Sequence, residues 1–204
     1  MKIAIVDYGM GNIHSLQGAL HFLGVSNIIL TADEIQLNEA DKLILPGVGS
    51  FGKAMSEIRF RSLDKILSKI VLEDKKPILG VCLGMQIMSR SSNEDGENSG
   101  LGFINTRVEK FENTELPIPH VGFNQVQIPE NSSRLFKNFS NNPDFYFTHS
   151  YRMIGEDSII KSTCSYDGTF ISSFEKDNIA GVQFHPELSQ RNGLLLIDNF
   201  IKEF

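Results

Sequence analysis

The sequence predicts an α/β fold: a mixed, mainly parallel sheet flanked by helices, in a single domain spanning residues 1–204. Three observations carry this. Short, uniformly apolar runs alternate with helix-spaced stretches through the first half, as they do when crossover helices bury strands on both faces. From Phe103 to Phe184 short strand-like runs dominate instead, which makes the sheet mixed. No internal repeat or low-complexity tract interrupts the 204 residues, a length that one core can fill.

Taken in order, residues 3–6 form an apolar strand that the chain enters almost at once. Asn12 stands where a helix cap belongs. The apolar positions of the helix, Ile13, Leu16, Leu20 and Leu23, fall on one stripe before Gly24 stops it. Strands follow over 28–30 and 43–45. Leu63, Ile66, Leu67, Ile70 and Val71 keep helical spacing, and residues 77–81 return to strand. Such alternation implies right-handed crossovers with helices on both faces. Beyond it, strands are expected over 102–111, 145–149, 159–164, 170–174 and 179–184, with Tyr166-Asp167-Gly168 as a turn. A last helix is expected after Gly193, with Leu196, Ile197, Phe200, Ile201 and Phe204 on its inner stripe. Residues 93–99 and 129–144 are polar and loop-like, too short for interdomain linkers.

Composition narrows the function. The chain is 41% apolar and 22% charged, with a net charge of -6, and no basic block offers a nucleic-acid surface. Cys82 and Cys164 are its 2 cysteines, too few for a secreted disulfide framework. The apolar run at the N-terminus is too short for a signal peptide, and no run approaches membrane-spanning length. A soluble cytoplasmic enzyme, with no membrane and no nucleic-acid partner, is the class that fits best.

Residues 77–86, Pro-Ile-Leu-Gly-Val-Cys-Leu-Gly-Met-Gln, are the most informative segment. An apolar strand runs into Cys82, which is framed by Gly80 and Gly84, and a helix follows at once, as in a nucleophile elbow built on cysteine. The glycines are expected to let the backbone turn sharply. Amides at the helix start and the positive end of the helix dipole favour the thiolate, the reactive form. A buried structural cysteine is the alternative.

A partner for the thiol lies downstream. Residues 182–184 read as strand and lead into His185-Pro186-Glu187. In extended backbone residues two apart share a face, so the His185 ring and the Glu187 carboxylate are expected to meet that way. A nucleophile, a base and a group that orients the base suffice for acyl transfer. Metal binding is the competing reading. Zinc needs three or four ligands, and His-Pro-Glu has no matching His/Cys cluster elsewhere in the chain.

Together these two segments resemble the class I glutamine amidotransferases, whose Cys-His-Glu triad hydrolyses the side-chain amide of glutamine. The resemblance implies a flavodoxin-like core, with Cys82 as nucleophile, His185 as general base and Glu187 as its orienter. Four further segments are similar to the glutaminase subunits of imidazole glycerol phosphate synthases: Asp7-Tyr8-Gly9-Met10-Gly11-Asn12, residues 46–51 (Pro-Gly-Val-Gly-Ser-Phe), residues 119–124 (Pro-His-Val-Gly-Phe-Asn) and residues 146–151 (Tyr-Phe-Thr-His-Ser-Tyr).

That resemblance implies the remaining roles. The Leu83 amide and the loop of Gly47, Val48 and Gly49 would form the oxyanion hole. Gln86, Glu94 and the Ser150-Tyr151 backbone would hold glutamine. Asn12, Phe123, Tyr146 and Leu188 would face a (β/α)8-barrel cyclase subunit that takes up the ammonia in a heterodimer. No cofactor and no metal is implied. His120 and His149 are expected to serve packing or the subunit interface, and His14 and His21 to lie at the surface. The family often has Lys where this chain has Leu188, and Trp where it has Phe123. A glutaminase subunit that serves a different synthase, such as a surface-sugar amidotransferase, therefore stays open, as does an inactive binding protein on the same fold.

Overall fold

The computed structural model describes every residue except 113–115, 129–132, 141 and 156–157. Its first half alternates as expected. The strands β1 (Lys2–Val6), β2 (Asn27–Thr31), β3 (Lys42–Leu45) and β4 (Ile78–Val81) are separated by α1 (Ile13–Phe22), α2 (Glu34–Glu39), α3 (Phe51–Phe60) and α4 (Leu63–Leu67). All four strands pair in parallel, in the order β2-β1-β3-β4. Every residue of β3 and β4 is buried, which is why residues 43–45, after Lys42, and 78–81 read as unbroken apolar runs.

The second half contains α5 (Leu83–Gln86), the short strands β5 (Ser91–Ser92) and β6 (Asn98–Ser99), and β7 (Arg107–Lys110). The strands β8 (His120–Gln125), β9 (Asp144–His149), β10 (Tyr151–Ile154), β11 (Ile160–Ser165), β12 (Thr169–Lys176) and β13 (Ile179–Val182) follow, and α6 (Gln190–Glu203) closes the fold. The sheet continues from β4 through β13, β12, β10, β7, β5 and β6, with β11 beside β12. Parallel β13 locks in at Val182 opposite Val81, and beyond it the pairs are antiparallel except for β7 with β5, which is parallel. The expected mixed, mainly parallel sheet is present. The strands β8 and β9 form a separate antiparallel ribbon, with His120 opposite His149 and Phe123 opposite Tyr146.

The core lies on both faces of the sheet. One cluster joins β1 and β3 to α3, α4 and α5 through Val6, Leu45, Phe51, Met55, Ile58 and Leu67. The other joins the opposite face to α1, α6 and the ribbon through Leu16, Leu20, Phe145, Phe184, Leu196 and Phe200. Phe145 and Phe184 stack at 3.9 Å between ring centroids. Each such ring taken fully out of water is worth about 1.5–3 kcal/mol.

Several boundaries differ from the sequence reading. The helix through residues 63–71 loosens after Leu67 into a π-helical turn, Ser68–Glu73. The last helix starts at Gln190 rather than after Gly193. Gly193 lies inside it because the helix packs on the His-Pro-Glu turn, and a Cβ there would stand 1.7 Å from the Pro186 carbonyl oxygen. The strands expected over 102–111 and 179–184 are shorter, Arg107–Lys110 and Ile179–Val182. The 93–99 loop is a minute hairpin end, with β6 pairing with β5. Of the polar stretch 129–144, residues 129–132 and 141 lie outside the described residues.

Candidate active site

Cys82 terminates β4 with φ 54 and ψ -112, a conformation sparsely populated by L-residues and costing about 1–3 kcal/mol. The expected turning role of the flanking glycines is therefore corrected. The strained residue is the cysteine itself, while Gly80 and Gly84 provide room. A Cβ on Gly84 would lie 1.8 Å from the Leu45 carbonyl oxygen, and one on Gly80 would lie 2.8 Å from Met85. The absence of those side chains lets α5 sit directly on the ends of β3 and β4. The backbone amide of Cys82 donates to Val182 O at 2.8 Å, and Cys82 O accepts from Gln86 N at 3.1 Å, so the elbow is tied on both sides.

The loop after β3 reaches the same edge. A Cβ on Gly47 would meet Gly84 N at 2.6 Å, so this loop is pressed against the elbow. The buried Tyr8 hydroxyl donates to Pro46 O at 2.6 Å and anchors the start of the loop. Burial, together with the charge of nearby Cys82, pushes that phenol far above its ordinary range. Gly49 turns with φ +98, and Val48 is half open to solvent.

His185 Nδ1 lies 2.8 Å from Glu187 Oε1, and both side chains are almost wholly buried. The route to this contact is not the strand alternation expected from sequence. The strand β13 ends at Val182, His185 caps a 3-10 turn over Pro186–Leu188, and the turn folds Glu187 back onto the ring. Proline suits the first position of such a turn because its missing N–H would have no partner there. The turn is pinned by Ser189, whose Oγ donates to His185 O at 2.6 Å and accepts from Tyr146 N at 2.9 Å. Burial alone would lower the His185 pKa. The charge and hydrogen bond of Cys82, joined by Glu187, outweigh it and raise the imidazole to about 10.

Around this pair lies a cavity of about 450 Å³, a size suited to a small-molecule ligand. Cys82, Leu83, His185, Val48, Gly49, Gln86, Glu94, Ser150 and Tyr151 all line it, as do Asn12 and Leu188. The amide of Gln86 is already engaged, since Nε2 donates to Tyr151 O and to Gln183 Oε1, each at 2.9 Å. Glu94 accepts from Phe51 N at 2.7 Å, holding the N-terminus of α3, where a carboxylate is favoured by the helix dipole. Burial, followed in effect by the Phe51 bond that opposes it, raises the Glu94 carboxyl above its ordinary value.

Asn12 is not the side-chain cap expected of it. Its amide is committed elsewhere, donating to Glu187 Oε1 at 3.3 Å. The outer face of the ribbon carries Val121 and Phe123, both more than half exposed, with Phe123 edge-on to Tyr146 at 5.6 Å. Leu188 is also exposed. His14 and His21 lie at the surface. Gln183 belongs to no motif in the sequence, although it occupies a fully buried position one residue past β13 and donates to Cys82 Sγ at 3.8 Å. A polar side chain two residues before His185, in an otherwise apolar run, was the available signal.

Comparison with known proteins bears on the family of the chain. The glutamine amidotransferase class-I family model matches residues 4–204. The imidazole glycerol phosphate synthase subunit HisH 2 of Methanococcus maripaludis is 45% identical over 203 residues, covering 98% of this chain and 99% of that protein. The HisH subunit of Aquifex aeolicus is 39% identical, with 98% and 96% covered. Among solved structures, a candidate GMP synthase component of Thermoplasma acidophilum superposes with a TM-score of 0.74 at 25% identity, covering 98% of this chain and 92% of that one.

Proposed function

As a member of the class-I glutamine amidotransferases and, within them, of the HisH subunits of imidazole glycerol phosphate synthase, this chain is an enzyme, and we propose that it hydrolyses glutamine through Cys82, His185 and Glu187. The observation that carries the reading is the strained Cys82 in contact with a buried His185, both lining one small cavity, with Glu187 holding the ring at 2.8 Å from behind. The sulfur attacks the amide carbon of glutamine to form a tetrahedral intermediate. The protonated His185 ring gives its proton to the departing nitrogen, so ammonia leaves and a thioester remains. Water, deprotonated by the now neutral ring, then releases glutamate and frees the thiol. The Leu83 amide, with those of Val48 and Gly49, is assigned to the negative oxygen. Gln86, Glu94 and the backbone of Ser150 and Tyr151 are assigned to the substrate.

Ammonia set free in water at neutral pH is protonated and lost as a nucleophile, so the reading includes a partner that receives it under shelter. We assign that role to a (β/α)8-barrel cyclase subunit of histidine biosynthesis. It would use ammonia to form imidazole glycerol phosphate and an aminoimidazole carboxamide ribonucleotide. Support comes from Leu188, exposed at the cavity that Asn12 also lines, and from exposed Phe123, which packs edge-on to Tyr146 on the ribbon. The chain is read as one domain over 1–204. A thiol nucleophile suits the reducing cytoplasm, and no helix among the described residues is long and apolar enough to cross a membrane.

The test is glutamine hydrolysis by the chain mixed with its cognate cyclase subunit, with and without the cyclase's nucleotide substrate. Turnover is expected to rise about a hundredfold or more with that substrate, roughly 3 kcal/mol off the barrier. Equal turnover by the chain alone would favour a free-standing hydrolase.

A further inference from the structure

A continuous run of hydrogen bonds joins the outer ribbon to the sulfur of Cys82. On β8, Asn124 Nδ2 lies 3.4 Å from His120 Nε2, and His120 Nδ1 lies 3.1 Å from His149 Nε2. His149 Nδ1 lies 2.7 Å from Tyr151 O, the carbonyl that also accepts from Gln86 Nε2. Gln86 passes its second N–H to Gln183 Oε1, and Gln183 Nε2 donates to Cys82 Sγ.

The chemistry of the groups gives the first part of this run a single direction. A carbonyl only accepts, so His149 carries its hydrogen on Nδ1. A neutral ring then presents a bare Nε2, which accepts from His120 Nδ1–H. His120 Nε2 is left bare in turn and accepts from Asn124. A second proton on His149 would set two N–H groups against each other. The surroundings keep both rings neutral: His120 stacks between Phe147 and Tyr166, and His149 packs on Phe111 and Phe170. Burial lowers His120 to about 4. Burial, partly offset by the Tyr151 bond and reinforced by His120 and His185, lowers His149 to about 3. Besides each other, the titratable groups that face them are Tyr166 against His120 and His185 toward His149, and both rings stay neutral near pH 7.

We propose that His149 is a positioning residue of the glutamine site: with His120 and Asn124 behind it, it fixes the Tyr151 carbonyl and thereby orients Gln86 and Gln183 against substrate and sulfur. This rests on the glutaminase reading and adds to it a rigid link. The ribbon that bears Phe123 and Tyr146 holds the nucleophile's neighbours through oriented bonds, because His120–His149 and Phe123–Tyr146 are rungs of one ladder.

Steady-state glutamine hydrolysis in the complex with the cognate cyclase subunit tests it, using wild type, His149→Phe and His149→Asn. The Phe variant keeps the ring packing and removes both hydrogen bonds, whereas Asn keeps an N–H where Nδ1 stood. The Phe variant is expected to raise KM for glutamine about tenfold, equivalent to about 1.4 kcal/mol, with the Asn variant within about threefold of wild type. A purely structural role would instead lower the amount of active enzyme at unchanged KM, in both variants alike, and would overturn the proposal. Should His149→Phe fail to fold, His120→Phe carries the same test, with a KM rise of about threefold or more in support and an unchanged KM against. An inactive wild type would sink the glutaminase reading itself, while an active wild type beside an unaltered His149→Phe sinks only this inference.

Discussion

The side-chain amide of Asn12, at the start of α1, donates to Glu187 Oε1 at 3.3 Å, so a residue from the first loop of the chain steadies the acid that holds His185. The other oxygen of Glu187 is buried without a hydrogen-bond partner among the described residues, which makes the Asn12 contact the more valuable. A buried carboxylate that loses a donor costs about 1–3 kcal/mol. Asn12→Ala is therefore expected to lower kcat/KM for glutamine about 5- to 100-fold, with an unchanged dichroism spectrum. A kcat/KM within twofold of wild type would show that Glu187 needs no such help.

Cys82→Ala is expected to abolish glutamine hydrolysis, while the complex with the proposed cyclase partner is expected still to use added ammonium salts, since the proposed reading puts that chemistry on the partner. Cys82→Gly should be equally inactive yet more stable than the Ala variant by about 1 kcal/mol, because only glycine adopts φ 54 and ψ -112 without a steric penalty. Denaturant melts of the two variants decide whether the elbow stores strain.

Stability should respond to acid through the buried histidine pair. Unfolded, His120 and His149 take up protons near pH 6.5; folded, they do so only near about 4 and about 3. Between those values the unfolded chain binds more protons, so stability falls as pH falls, by up to about 1.4 kcal/mol per pH unit for each ring. His185 acts in the opposite sense. With its folded pKa raised to about 10, its contribution is complete below about 6.5 and fades as pH climbs toward 10. Urea melts of wild type and His120→Phe at pH 7 and pH 5.5 should show the gap between them narrowing toward acid. A gap that stays constant would mean the rings titrate normally.

Gly193→Ala places a methyl 1.7 Å from the Pro186 carbonyl oxygen, and neither backbone can yield without moving α6 off the His-Pro-Glu turn. A loss of about 2–4 kcal/mol is expected, with activity falling further than stability because the turn carries His185. Gly18→Ala is the control, since nothing lies within 4 Å of a Cβ there and that site is helical. It should be neutral or stabilise by up to about 1 kcal/mol.

Much of this architecture was legible in the residues. The apolar runs at β1, β3 and β4 announce themselves because both faces are covered, and Cys82 and His185 stand at the ends of such runs. The helix α3 could have been read as well: Phe51, Ala54, Met55 and Ile58 keep helical spacing and are buried. The strand β8 was harder, because only its alternate residues face inward and two of those are Gly122 and Asn124. The meeting of His185 with Glu187 was anticipated by the wrong local geometry, since Pro186 favours a tight turn over an extended strand. Long-range commitments, such as Asn12 to Glu187 or Glu94 to Phe51 N, have no local signature at all. Each side chain has a plausible nearby use that tertiary packing overrides.

The position of β13 has a consequence for how the chain is made. The strand β4, whose four residues are all buried, pairs with β3 on one side, and its other edge waits for β13. The amide of Cys82 likewise waits for Val182 O. At about 5–20 residues per second, a ribosome needs on the order of 5–20 s to travel from one strand to the other. Through that interval the nascent chain exposes an apolar strand edge, the kind of surface to which chaperones and other unfinished chains bind. The same delay leaves the elbow unset, so a half-made polypeptide holds its thiol without the backbone that would aim it.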